Sequence, residues 1–360
     1  TIENAITLQQ KAWKLLGRGK LTEARDAITE ALRLFELLEG KESPDVANLL
    51  NDLADIGDRL ERHSIALKLA ARSIKITDKL GRAFSGEEAS MIRARSRSII
   101  GTIHREKGDY AQAELFLKEA LKINRRQFGP EDSEVASAEN NLAVVYKYSG
   151  HFKKGLKLYE SALIKLKAAF GDEGLPLGPV YHNIAGILHA AGFFKEAEEP
   201  GLRAWDISTK HLGPSHPQTI ADASAYAAIL DSLGRYKESE PIYKRSLKVF
   251  EKLYGPENYE ISVNLNNLGA LKTAQGKAVE AEDYYRRSIA MTEKLLGRNH
   301  PDVALCCNNL ASLMSAQGRT REAIKLYERA LKIFSRRLKP DHPKVLLVQE
   351  NLEAAREKRA

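Results

Sequence analysis

Apolar residues recur three and four positions apart along most of the chain, as in Val135, Leu142, Val145 and Tyr146, the spacing of one helical face. Runs of about 14 residues with this spacing end at a glycine, which tolerates the left-handed conformation that closes a helix. A second run follows each glycine, with small and large residues alternating on its inner face, as in Ala323, Tyr327, Ala330 and Leu331. Small side chains there let a neighbouring helix approach closely. Helices this short are marginal alone, so successive helix pairs must bury their apolar faces against one another.

The pairs repeat. A glycine, an aromatic two residues later and an alanine three beyond that set the register: Gly108, Tyr110 and Ala113, then Gly192, Phe194 and Ala197. Gly150, Gly234, Gly276 and Gly318 head related segments, and every step from Gly108 to Gly318 is 42 residues. Gly19 with Ala24 opens an earlier copy, and Glu61 with Ala66 replaces the glycine one period later. From Glu61 to Gly108 the step is 47, with the excess expected mainly in Gly81–Ser90, between two helices. Units close at Gly-Pro or His-Pro pairs, including Gly129-Pro130, His216-Pro217, His300-Pro301 and His342-Pro343. Proline restricts the residue before it and suits a helix start. The expected organisation is eight helix pairs over residues 1–342 forming one solenoid, with an irregular junction near 81–98. Pro343–Ala360 then reads as a capping helix over the last apolar face.

The segment Asn308-Asn309-Leu310-Ala311, with Gln317-Gly318, Glu322-Ala323, Leu326-Tyr327 and Arg329-Ala330-Leu331, resembles the 42-residue tetratricopeptide repeats of kinesin light chains. That resemblance spans nearly the whole chain. It implies an all-α fold, a right-handed α-solenoid of helix-turn-helix hairpins, and a non-enzymatic role in binding protein or peptide partners. It also implies that the first helix of each hairpin lines a concave groove.

Two columns of residues then fall in that groove. Nine residues before each glycine stand Gln10, Asp52, Ile99, Asn141, Asn183, Ala225, Asn267 and Asn309. Beside them stand Gln9, Asn51, Ser98, Asn140, His182, Ser224, Asn266 and Asn308. Asparagine is a poor mid-helix residue, so its return at one angle asks for a reason. An amide both donates and accepts, and a column of amides can pair with an extended peptide backbone of any sequence; the resemblance implies this use. The same amides could instead tie adjacent hairpins together. One turn along, Asp52, Asp55 and Asp58 make the early groove acidic, Arg95 and Arg105 follow on the next hairpin, and then Lys147, Tyr148 and His189. The expected peptide-binding residues are Asn51, Asp55, Arg95, Arg105, Asn140, Asn141, Lys147, His182, Asn183, Asn266, Asn267, Asn308 and Asn309.

Composition narrows the function further. The formal net charge is +8 over 360 residues. That permits a helical-repeat nucleic-acid binder as the alternative, yet the groove columns are amides and acids with few basic or stacking residues. No apolar run is long enough to cross a membrane. A second alternative is that the chain is the sensor or recruitment region of a larger enzyme. Within it no catalytic constellation, cofactor motif or metal set stands out: the glycines belong to the period, and His182 and His189 lack further ligands. His216, His300 and His342 read as loop residues before prolines. Trp13 is expected either to anchor a ligand on the groove side or to pack against residues upstream, whereas Trp205 reads as core with Gly201 making room for it. Cys306 and Cys307 are adjacent on a helix and cannot readily bond to each other, which favours a reducing, cytoplasmic compartment.

Overall fold

A computed structural model describes all residues except 18, 19, 61, 82–85, 337, 359 and 360. Among the described residues there are 17 helices and no strand. The expected turn residues Gly19 and Glu61, and positions 82–85 of the expected junction, lie outside the described residues.

Two compact units divide the chain. The first, Thr1–Tyr148, holds α1 (Ile2–Gly17), α2 (Leu21–Leu38), α3 (Pro44–Arg59), α4 (His63–Leu80), α5 (Glu87–Glu106), α6 (Tyr110–Phe128) and α7 (Ser133–Tyr148). Its core forms where the inner face of α2, with Ala24, Ile28, Ala31 and Phe35, meets Leu49, Leu50, Leu53 and Ile56 of α3. The extra residues before Gly108 are not all loop: α5 is 20 residues long where α3 and α7 have 16, and its first turn takes up Glu87–Ser90. The insertion is partly absorbed as one more helical turn because that extension satisfies its own backbone groups.

The second unit, Ser149–Ala360, holds α8 (Phe152–Phe170), α9 (Leu177–Ala190), α10 (Phe194–Leu212), α11 (Pro217–Ser232), α12 (Tyr236–Tyr254), α13 (Tyr259–Ala274), α14 (Ala278–Leu296), α15 (Pro301–Ala316), α16 (Thr320–Phe334) and α17 (Pro343–Glu357). Consecutive helices pack on one another. At the turn before α12, Gly234 has φ 77°, and the Arg235 amide reaches back to the Leu230 carbonyl at 2.8 Å. The His-Pro pairs start helices actively: Nδ1 of His216, His300 and His342 accepts the backbone N–H of Gln218, Asp302 and Lys344, with proline next in line.

Small residues are spent where helices touch. A Cβ on Gly269 would lie 2.7 Å from the Tyr285 ring, so α14 lies close against α13. On Gly201 it would lie 2.8 Å from Ile229 Cδ1, so Gly201 makes room for α11 and not for Trp205. Trp205 itself is partly exposed and meets the Tyr226 ring at 5.8 Å. α17 buries Val345, Val348, Leu352 and Ala355 and packs on α16.

One half-buried acid sets a pH dependence. Burial between α11 and α12 pushes the Asp231 carboxyl up to about 6, although Ser239 donates to it. A carboxyl raised in the folded state contributes stability that is complete below its unfolded pKa of about 3.9 and is lost as pH rises through about 6. Asp231→Asn copies the neutral form. It should flatten the fall in the urea midpoint over that window, and an unchanged slope would remove Asp231 as its cause.

Candidate functional site

In the first unit α3, α5 and α7, with Asn124 and Phe128 from the end of α6, frame a cleft of about 440 Å³. The periodicity that buries Ile92, Ile99 and Ile103 of α5 turns Met91, Arg95 and Ser98 to the adjoining side, and Ile92 closes the cleft between the two sets. Asn48, Ser137 and Asn141 supply polar edges, Met91 and Phe128 apolar ones, and Glu88 and Glu134 acid. Met91 is 50% exposed, so a large apolar side chain stands open to a ligand.

Arg95 organises this wall. Its guanidinium lies 2.7 Å from Asp52 Oδ1, donates through Nε to Asp55 Oδ2 at 3.1 Å, and reaches Asn48 Oδ1 at 3.4 Å. Asp52 is 5% exposed while Asp55 is half-buried. Burial pushes the Asp55 carboxyl up, and Arg95 opposes the shift. Arg105, from the end of α5, holds Glu106 at 2.9 Å and lies 6.0 Å over the Tyr148 ring, which Lys147 approaches at 5.1 Å.

The amides divide into kinds. Asn51 is fully buried, donating to the Ile92 carbonyl at 3.2 Å and accepting from Ser96 at 2.9 Å, so it knits α3 to α5 and faces no groove. Asn140 and Asn141 are half-buried on α7, and Asn141 lines the cleft. In the second unit Asn309 donates to Asn266 at 3.1 Å and Asn351 donates to Asn308 at 3.2 Å, each bond joining successive first helices. Asn183 and Asn267 are half-buried. Among the described residues no hydrogen bond engages the Asn141 or Asn267 side chain. His182 sets Nδ1 2.8 Å from Oδ1 of the buried Asp222, to which Gln218 also donates.

Sequence reasoning missed Met91, Phe128 and Asn48 in the cleft, and Asp222 beneath His182. Met91 precedes Arg95 by one helical turn, a signal that could have been read. Asp222 gives none, because its partner is 40 residues away. The cysteines offer little reactivity: burial pushes Cys306 up to about 12 and Cys307 to about 11, which leaves both as thiols. Among the described residues no helix is long and apolar enough to cross a membrane.

Known proteins share this architecture. A tetratricopeptide repeat family model matches residues 5–79, 92–164, 177–252, 219–294, 260–336 and 308–358. Protein KINESIN LIGHT CHAIN-RELATED 3 of Arabidopsis thaliana is 25% identical over 199 residues, which cover 54% of this chain and 30% of that protein. A clustered mitochondria protein homolog of Aspergillus terreus is 24% identical over 195 residues, 54% of this chain and 15% of that protein. The chain thus spans less than a third of either relative. The apo form of the quorum sensor NprR from B. thuringiensis superposes with a TM-score of 0.66 at 14% identity, covering 92% of this chain and 87% of that one. That likeness is one of fold.

Proposed function

The chain belongs to the tetratricopeptide repeat family, and from that premise we propose that it is a non-enzymatic protein-interaction scaffold holding an extended peptide of a partner in the α3–α5–α7 cleft. The observation that carries the reading is the cleft itself, where an unengaged amide, Asn141, stands beside the exposed Met91 and the Asp-held Arg95. An amide with both functions open suits a peptide backbone, and an apolar wall suits one side chain of that peptide. Asn267 offers the same chemistry in the second unit. Asn266, Asn308 and Asn309 first serve the hairpin seams, which leaves them a lesser part. Glu88, Glu134, Asp52 and Asp55 make the cleft surroundings acidic, which disfavours the phosphates of nucleic acid.

Selection of a random peptide library on the full chain tests this. Selected peptides should bind with an affinity that Asn141→Ala lowers by about 1–3 kcal/mol, the usual consequence of unpairing buried backbone groups. Melting of Asn141→Ala should be unchanged, since its amide bonds no other described residue. Selected peptides that bind the variant equally well would remove the cleft from the binding surface.

A further inference from the structure

The repeats supply their own control for what the fold needs at each position, and the second hairpin departs from it in the combination it sets at three places that meet in space. In the first unit one period later, the equivalent places hold Arg105, Tyr110 and Tyr148, with the guanidinium over the ring. In the second unit they hold His189, Phe194 and Ser232. There His189 Nε2 lies 2.8 Å from Ser232 Oγ, and its ring lies 5.2 Å from that of Phe194. An aromatic side chain beside a cation, or beside neutral neighbours, therefore satisfies the fold at this place without a pair of acids.

The second hairpin instead sets Asp58 from the end of α3, His63 from the start of α4 and Glu106 from the end of α5. His63 Nδ1 lies 3.1 Å from Asp58 Oδ1 and 3.8 Å from Glu106 Oε2, and one ligand atom of each residue lies within 4.8 Å of the others. The side chains of Asp58 and His63 are 17% and 30% exposed and that of Glu106 is 37%. Two carboxylates held together, one of them in partial burial, repel each other, which a packed aromatic would avoid. Arg105 occupies Oε1 of Glu106 at 2.9 Å and so leaves Oε2 toward the imidazole.

We propose that Asp58, His63 and Glu106 bind one divalent transition-metal ion of the Zn²⁺ or Mn²⁺ class. Two carboxylate oxygens alone would suit Mg²⁺ or Ca²⁺, and the imidazole nitrogen moves the preference to transition ions. Water completes the coordination, as it does around three protein ligands elsewhere. Binding requires the lone pair of Nδ1, so the neutral ring carries its one proton on Nε2. With one ligand from each of α3, α4 and α5, the ion clasps the segment that carries the irregular step of the repeat. None of these residues lines the peptide cleft, so the site stands or falls independently of that reading.

Calorimetric titration of ZnCl₂ and MnCl₂ into the chelator-treated full chain tests it. Either salt should bind at one equivalent and raise the melting temperature. His63→Phe installs the aromatic that four other hairpins carry at this place, Tyr110, Phe152, Phe194 and Tyr236, so it should fold normally and weaken binding at least about 10-fold. Glu106→Gln, of the same shape, should weaken it similarly. Absence of saturable binding by both ions overturns the proposal. So does binding that either folded variant retains in full, which would place the ion on other side chains. MgCl₂ matching both ions in affinity would overturn the assignment to a transition metal.

Discussion

Removing Pro343–Ala360 should destabilise the second unit by about 4 kcal/mol or more, far beyond what its share of the chain suggests. Val345 and Val348 are 1% exposed and Leu352 4%, and each fully buried side chain of this kind is worth roughly 1.5–3 kcal/mol. Sums taken from an extended unfolded chain are upper bounds, so the lower end is the safer figure. The deletion also uncovers the side of α16 on which α17 packs, takes Lys344 from over the Phe334 ring and removes the Asn351 donor from Asn308. In a stacked repeat each helix pair is supported only by its neighbours, so an uncovered end frays inward and exposes apolar surface. Urea melts and light scattering on the truncated chain measure both consequences. A monomeric truncation with an unchanged midpoint would show that α17 contributes nothing to the unit below it.

Arg95→Met should lower stability by about 2–3 kcal/mol, because it leaves the Asp52 charge without its cation. The exposure of Asp55 and of Arg95 itself, 41% and 39%, keeps the effect below that of a fully buried pair. Lysine should restore only part of the loss, since one ammonium cannot match a fork that serves two carboxylates and the Asn48 amide. Asp52→Asn combined with Arg95→Met should recover most of it, because the stranded charge is then gone. Denaturation midpoints of the two single variants and the double give the coupling directly. A single Arg95→Met with a wild-type midpoint would reduce the cluster to a solvated surface pair.

The helical hairpins, their period and their ends were legible along the chain. Glycines at 42-residue steps take positive φ, from 76° at Gly108 to 74° at Gly318, and the His-Pro pairs begin helices. These features are local: a glycine turn or a capped start depends on residues within one helical turn, so a linear pattern carries them. The angular position of the asparagines was legible for the same reason.

What each amide does was decided only by the neighbouring helix. Asn51 and Asn266 occupy one sequence column, yet Asn51 is sealed under α5 by Ser96 and Ile92 while Asn266 stays half-open and accepts from Asn309. The bonded pairs in the second unit lie 43 residues apart, one more than the period, because stacked helices meet along a diagonal and not along the column. The same holds for Arg95 with Asp55, 40 residues away, and for His182 with Asp222. Periodicity states which side of a helix a residue takes. Whether that side is covered, bonded or open depends on the offset and the bulk of the next helix, and those are set by packing.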